Sequence, residues 1–512
     1  MYLRSDEKTR GFDNFCGGMA SKPLRRKFLQ DAMVKKLTPS SGLNAYYFHY
    51  EKPAKPLVVG VIGTGRQGAK LLASINPAYV TVKSIADIRP SSQAAAKALV
   101  KDATVYDDYK KLIDAAKADG LQGVIIALPS HLHAAAALAA MKAKLHVFVE
   151  TPMALKVAEA KEMVVTARKE KLCLAVGQQR RYNILYDNAL EMARSGLLSD
   201  VHYVRAQWHV PPVEHKADED TNKSDKLAKK PKWNAAKDDN SAIDLWRSIP
   251  SEDAGLNVKD HGYESVAELI NWQITQSLSG GLIAELGSQL FDAAAMFLAE
   301  VPNRDPAKPY PLSVSGSASQ LRSDMGDIDD HVHCVFEYAA KDYVDKGPQK
   351  TRKKIGLQYD LIVGNEFDLY GETILGTHGS LILESEKRGM LFHMADTDKR
   401  VRVLPKKDEK SWPLLEIPKD GGRGGDEESE SIGQLALSGI DSGLTAELEH
   451  WAVCSLSPDA KSKPRCDGET ALATTVMAVA ATKAIELGTR VNFEDAWFDA
   501  EKKETPDDLK AG

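Results

Sequence analysis
Leu57-Val58-Val59-Gly60-Val61-Ile62 is an unbroken apolar run, and Gly63-Thr64-Gly65-Arg66-Gln67-Gly68 follows it without a gap. Six apolar residues with no polar alternation read as a strand buried on both faces. Residues 69–75 then have helical composition. A G-x-G-x-x-G turn between a buried strand and a helix constrains the fold more than any other feature of this chain. It predicts a parallel α/β sheet with an anion site at its carboxyl edge. The first glycine makes the tight turn, the second lets backbone approach a pyrophosphate, and the third packs helix on strand. The first N–H groups of the helix and its dipole add to that site.

The next strand is read over residues 80–86 and ends at Asp87, 24 residues after Gly63. An acid at about that distance accepts hydrogen bonds from a dinucleotide ribose and repels a 2′-phosphate. The expected cofactor is therefore NAD, with NADP less favoured; Arg89, two residues on, softens that preference. Helical patterns at 91–100, 107–118, 131–141 and 155–169 alternate with apolar strands at 123–128, 146–149 and 171–176. That alternation implies βαβ units, whose ligands lie outside the carboxyl ends of the strands. The expected cofactor contacts are Gly63, Gly65, Arg66, Gln67, Gly68 and Asp87, with Pro129, His133 and Glu150 from later strand ends.

The second half has a different rhythm. Short alternating runs at 201–208, 312–318, 331–338, 354–363, 379–383 and 401–404 predict an antiparallel sheet covered on one face. Residues 211–260, with Asp218-Glu219-Asp220 and Lys229-Lys230-Pro231-Lys232, read as an at least partly exposed insertion, which Trp233 and Trp246 fold partly back onto the body. Residues 405–442 read as a mobile excursion, and 469–487 as a helix packing back on the first domain. The fold class is thus α/β plus α+β. An irregular arm (1–55) precedes a Rossmann dinucleotide-binding domain (56–180), an α+β domain (181–490) and a tail (491–512).

Of the 512 residues, 43% are hydrophobic and 27% charged, with net charge −5, which excludes a polycation built for bulk nucleic-acid binding. No membrane association is expected. Five scattered cysteines without a C-x-x-C pair argue against a disulfide framework or a zinc site of that type, and no metal is expected. Arg25-Arg26-Lys27-Phe28-Leu29 looks like a twin-arginine export box, but Asp31, Lys35 and Lys36 interrupt the apolar stretch that an export signal needs. The expected location is cytoplasmic.

These pieces resemble the glucose–fructose oxidoreductase / inositol dehydrogenase family, often written Gfo/Idh/MocA. The matching motifs are Gly60–Gly68, Ala86–Pro90, Ala127–His133, His146–Pro152, Gly177–Asn183, Ser279–Asp292 and Gly376–Glu384. The resemblance implies a Rossmann domain, then an α+β domain whose large sheet commonly mediates homo-oligomers. It also implies NAD(P)-dependent oxidation of a carbohydrate or polyol. In this family a lysine in an E-K-P motif supplies a cation and a histidine on a D-x-x-x-H helix is commonly the base. Here Thr151 and Gln289 stand at those positions, and neither transfers protons near neutral pH.

On the apolar helix read over 281–299, Glu285, Gln289 and Asp292 fall on one face. Unpaired carboxylates in a buried helix are costly, so they either line a wet cavity or pair with Arg180 or Arg181. The catalytic candidates are Glu285, Arg181 and Tyr182; the substrate candidates are Arg180, His261, Gln289 and Asp292, with Tyr263 nearby. Two other readings stay open on sequence alone: a non-redox sugar-binding or partner subunit that keeps the cofactor, and an NAD-assisted lyase or glycosidase.

Overall fold
The computed structural model describes residues 52–510 apart from 195, 211–246, 323–325, 347–349, 365–366, 387, 394–403, 409–410, 417–442 and 458–461. The arginine pair at 25–26, most of the insertion and Val401–Val403 lie outside the described residues. The first sheet comprises β1 (Leu57–Ile62), β2 (Val80–Ala86), β3 (Thr104–Tyr106), β4 (Gly123–Ile126), β5 (His146–Val149) and β6 (Leu174–Val176). Its order is β3-β2-β1-β4-β5-β6 and every pair is parallel. Helices α1 (Arg66–Ser74), α2 (Pro90–Leu99), α3 (Tyr109–Asp119), α4 (His133–Lys142) and α5 (Val157–Glu170) make the crossovers. The β1 run is buried on both faces as its composition demands: Leu57, Val59 and Val61 join one core with Ile85, Ile125 and Phe148, and Ile62 joins the other.

Helix α6 (Ile184–Arg194) leads into a second sheet. Its strands are β7 (Val201–Val210), β8 (Ser313–Ser319), β9 (His331–Ala339), β10 (Lys354–Val363), β11 (Tyr370–Gly376), β12 (Gly379–Glu384), β13 (Arg388–His393) and a final β16 (Val491–Asn492). The order is β13-β12-β11-β7-β10-β9-β8-β16, antiparallel except for the β7–β10 pair. Alternation places Val332, Cys334, Phe336 and Tyr338 of β9 inward. There helix α7 (Ser288–Glu300) sets Phe291 edge-on to both Phe336 and Tyr359, with ring centroids 5.0 Å apart in each case. The helical stretch Gln276–Glu300 is long and apolar enough to cross a membrane by composition, but 72% of its apolar window is buried inside the fold.

Three segments differ from expectation. Part of the stretch read as a mobile excursion forms a hairpin, β14 (Leu404–Asp408) with β15 (Ser411–Glu416). Beyond it, α8 (Leu444–Leu456) lies on the first sheet, with Trp451 fully buried and edge-on to Phe148. After α9 (Gly468–Glu486), the segment read as a tail adds β16 to the second sheet and then docks on α5. The Lys161 ammonium donates to the carbonyls of Ala496, Lys502 and Glu504 at 2.7–3.0 Å. The Asp507 carboxylate accepts the first N–H groups of α5, from Val157 and Ala158. Buried polar groups need such partners, so this segment is part of the folded body.

Candidate active site
The carboxyl ends of β1, β2, β4 and β5 open into a cavity of about 340 Å³, closed from the other side by residues 247–273 and the start of the site helix. The glycine turn has the shape a pyrophosphate needs. Gly63 has φ +82°, and a Cβ there would meet the Ala127 carbonyl oxygen at 2.4 Å. A Cβ on Gly68 would lie 2.0 Å from the Gly63 carbonyl oxygen, so the third glycine permits the close helix–strand contact and does not itself line the cavity. Gly65 faces the cavity with no heavy atom within 4 Å of its missing Cβ. That open cradle sits just before the first turn of α1.

Asp87 lines the cavity beside this turn. It accepts hydrogen bonds from the Thr64 N–H at 2.8 Å, the Thr64 hydroxyl at 3.2 Å and the Arg89 N–H at 2.8 Å. Burial pushes its carboxyl up, while these hydrogen bonds and the Arg89 charge pull it down. Arg66, Gln67, Pro129, His133 and Glu150 line the same cavity. His133 also braces two strand ends, its ring nitrogens lying 2.7 Å from the Pro152 carbonyl oxygen and 2.8 Å from that of Leu128. Eight of the nine expected cofactor contacts therefore come together, and Gly68 supports them from behind. The residues present fit a dinucleotide.

At the other end of the cavity stand Thr151, Glu285 and Gln289. Residues Ile283–Gly287 form a single π-helical turn ahead of α7, a widening frequent at functional sites. Within it Glu285 accepts a hydrogen bond from the Ser130 hydroxyl at 2.5 Å and a longer one from the Gln273 amide at 3.4 Å. Burial pushes the Glu285 carboxyl up to about 7, against the lowering effect of those two donors. Glu150 is also pushed up to about 7 by burial, opposed by hydrogen bonds from the Gln67 amide and the Thr151 N–H. Thr151 is used structurally: its hydroxyl lies 2.9 Å from that of Ser288 and accepts from the Gln178 amide at 3.3 Å.

Four of the expected catalytic and substrate residues lie outside the cavity lining. Asp292 and Arg181 pair with each other through three contacts of 2.7–3.0 Å. Arg180, fully buried, reaches Glu372 at 2.6 Å and Glu386 at 2.9 Å under the second sheet. The Tyr182 hydroxyl lies 3.0 Å from His450 Nδ1 and accepts the Arg465 N–H at 2.8 Å. The cause is local: Gln179–Tyr182 form a 3₁₀ turn after β6, which turns these side chains toward the second sheet and the C-terminal helices. Asp292 lies nearly two turns beyond Glu285 and meets Arg181 before it can reach the cavity. His261 does line the cavity, but at the Asp108 side, with Nδ1 3.9 Å from that carboxylate.

Sequence reasoning did not single out Ser130 or Gln273 as partners of Glu285, nor Asp253. The position of Ser130 at a strand end was the one available signal.

Comparison with known proteins agrees with this architecture. Residues 57–178 match the model described as "Oxidoreductase family, NAD-binding Rossmann fold". Inositol 2-dehydrogenase of Corynebacterium glutamicum is 29% identical over 161 residues, which is 31% of this chain and 48% of that protein. D-glucoside 3-dehydrogenase of Escherichia coli is 30% identical over 159 residues, covering 30% of this chain and 44% of that protein. The chain thus spans about half the length, or less, of the curated relatives it matches. A levoglucosan dehydrogenase solved with NADH and levoglucosan superposes with a TM-score of 0.57 at 16% identity, covering 86% of this chain and all of that one. An inositol dehydrogenase homologue of Azotobacter vinelandii, solved with NADH and myo-inositol, gives 0.57 at 14% identity, covering 87% and 99%. These likenesses extend the shared fold across both sheets. Residues 57–178, with their glycine turn and Asp87 in place, match the NAD-binding Rossmann fold of the Gfo/Idh/MocA oxidoreductase family.

Proposed function
We propose that this protein is an NAD-dependent oxidoreductase that oxidises a hydroxyl group of a sugar, polyol or sugar derivative, with Glu285 as the proton acceptor. The observation that carries the reading is one cavity that joins an open glycine cradle and Asp87 to a carboxyl pushed up to about 7. Gly63, Gly65, Arg66 and Asp87 would hold the dinucleotide. When bound, NAD supplies the hydride acceptor. Glu285 takes the hydroxyl proton as the C–H hydride leaves, so the substrate becomes a carbonyl compound. A base whose pKa lies near the working pH is well matched to that role. Ser130 and Gln273 orient the carboxyl and stabilise its ionised form. Tyr263, Leu269, Ile270, Trp272 and Gln273 add mixed apolar and polar walls to the cavity.

The names of the relatives, which include inositol, glucoside and levoglucosan dehydrogenases, support the substrate class. A homo-oligomer through the second sheet belongs to the same proposal. Val335, Ile362 and Leu375 are exposed on three of its strands. The cytoplasm is the proposed location.

The test is NADH formation over a panel of inositols, glycosides, anhydrosugars and free sugars. Turnover on at least one, with a rate that rises with pH through about 7, supports the proposal. No turnover on any, in a protein that binds NADH, refutes it.

A further inference from the structure
Asp253 lies in the turn at 251–255, between the cavity-lining residues Arg247 and Asp260; it does not itself line the cavity and is fully buried. Its carboxylate reaches across 162 residues to the start of α2. One oxygen accepts the Ser91 N–H at 3.0 Å, the other accepts the Ser91 hydroxyl at 2.6 Å, and the Arg89 guanidinium lies 3.8 Å away. Arg89 is further tied to the Ser92 hydroxyl at 2.9 Å. Arg89 is the N-cap residue of α2 and caps nothing with its own side chain, so Asp253 supplies the anion that this helix start favours.

The turn between β2 and α2 that holds Arg89 also carries Asp87, which accepts the Arg89 N–H. A guanidinium, a hydroxyl and a helix N–H immediately after the ribose-binding acid are the donors that a 2′-phosphate would use. Here all three already face a carboxylate from within the chain. We propose that Asp253 determines cofactor specificity: it occupies the anion site that a 2′-phosphate would need, so NADP is rejected by Asp253 as well as by Asp87. Asp253 is a positioning residue, because it acts through Arg89 and Ser91. The inference rests on the reading that this cavity takes a nicotinamide dinucleotide.

The experiment is calorimetric titration of NAD and NADP into wild type, Asp253→Ala and Asp253→Asn, with a thermal melt of each. Wild type is expected to prefer NAD. In Asp253→Ala the ratio of NADP to NAD affinity rises about tenfold, the worth of one freed charge-assisted site. In Asp253→Asn, which keeps the shape and removes the charge, it rises about threefold. If the alanine variant does not fold, the isosteric variant decides by the same ratio. Equal weakening of both cofactors would make Asp253 a brace and overturn the proposal, as would an unmoved ratio or a wild-type preference for NADP. A wild type that binds neither dinucleotide overturns the cofactor reading itself, and this inference with it.

Discussion

Replacing Glu285 by glutamine should make the protein slower and more stable, and both effects should grow with pH. The carboxyl sits at about 7 against an ordinary 4.5, because burial penalises its charged form. At about 1.4 kcal/mol per pH unit the gap is worth about 3 kcal/mol. The sign follows from a folded pKa above the unfolded one. The stabilising contribution is whole below about 4.5 and is lost as pH rises through about 7. At pH 8 the wild type therefore carries an ionised Glu285 at a cost of about 3 kcal/mol, and glutamine, neutral at every pH, does not. Glutamine keeps an acceptor for Ser130 but meets the Gln273 amide less well, which takes back about 1 kcal/mol. The net gain is about 2 kcal/mol at pH 8 and nothing, or a small loss, at pH 5. Glu150 titrates in the same range but is present in both proteins, so it cancels from the difference. Activity should fall by about 10²–10⁴, the worth of a positioned base. Melting temperatures and NADH formation, both measured at pH 5, 6, 7 and 8, test the two halves together. A melting difference that is the same at pH 5 and pH 8 would refute the electrostatic argument. Undiminished turnover at pH 8 would remove Glu285 from the chemistry.

Gly65→Val places a branched side chain in the open cradle and should weaken NADH binding at least about tenfold without lowering the melting temperature, since nothing in the fold occupies that space; fluorescence titration and a melt check it. Asp292→Asn should cost about 3 kcal/mol of stability by leaving the Arg181 charge unpaired, yet NADH affinity should hold within about twofold, because neither residue lines the cavity. Thr151→Lys puts a cation next to Glu150 and against Ser288, three residues after Glu285, so the midpoint of the pH–rate profile should drop by about 1 unit.

How far the sequence could be read depended on the range of the contacts involved. The cofactor end was legible because its signal is local: six apolar residues, a glycine turn and an acid at the end of the next strand. The alternation of β9 was legible for the same reason, since each residue's face follows from its neighbour's. The strand-end rule also named Arg180, Arg181 and Tyr182, and there it failed. It locates the edge of a sheet but not the direction in which a 3₁₀ turn sends its side chains. Their partners, Glu372, Glu386, Asp292 and His450, are more than 100 residues away in sequence. Helix α8 was hidden for another reason: Ala446, Leu448, Trp451, Ala452 and Cys454 are all buried, so no polar face marks a helical period. Asp253, in a stretch of mixed charge, gave no sign that it would end fully buried against a helix start.

Thr151 and Gln289 line the cavity where the family resemblance implies a lysine and a histidine, and the two substitutions bear on the same proton. A lysine at 151 would stand beside Glu150 and close to Glu285, and its charge would draw both carboxyls toward their ordinary range. At 4.5 a carboxylate is a weak acceptor for a hydroxyl proton at neutral pH. Without the lysine, burial outweighs the hydrogen bonds that lower them, and both groups are pushed up to about 7. The loss of the cation removes one means of stabilising a developing alkoxide. It also leaves Glu285 at about 7, basic enough for the proton-accepting role proposed for it, which Gln289 cannot perform. Of the two carboxyls, Glu150 is the more buried and is tied to Gln67 at the foot of the glycine turn, whereas Glu285 projects from the widened turn ahead of α7. On the proposed function, that difference in exposure and position gives the proton to Glu285 and leaves Glu150 to brace the cofactor loop.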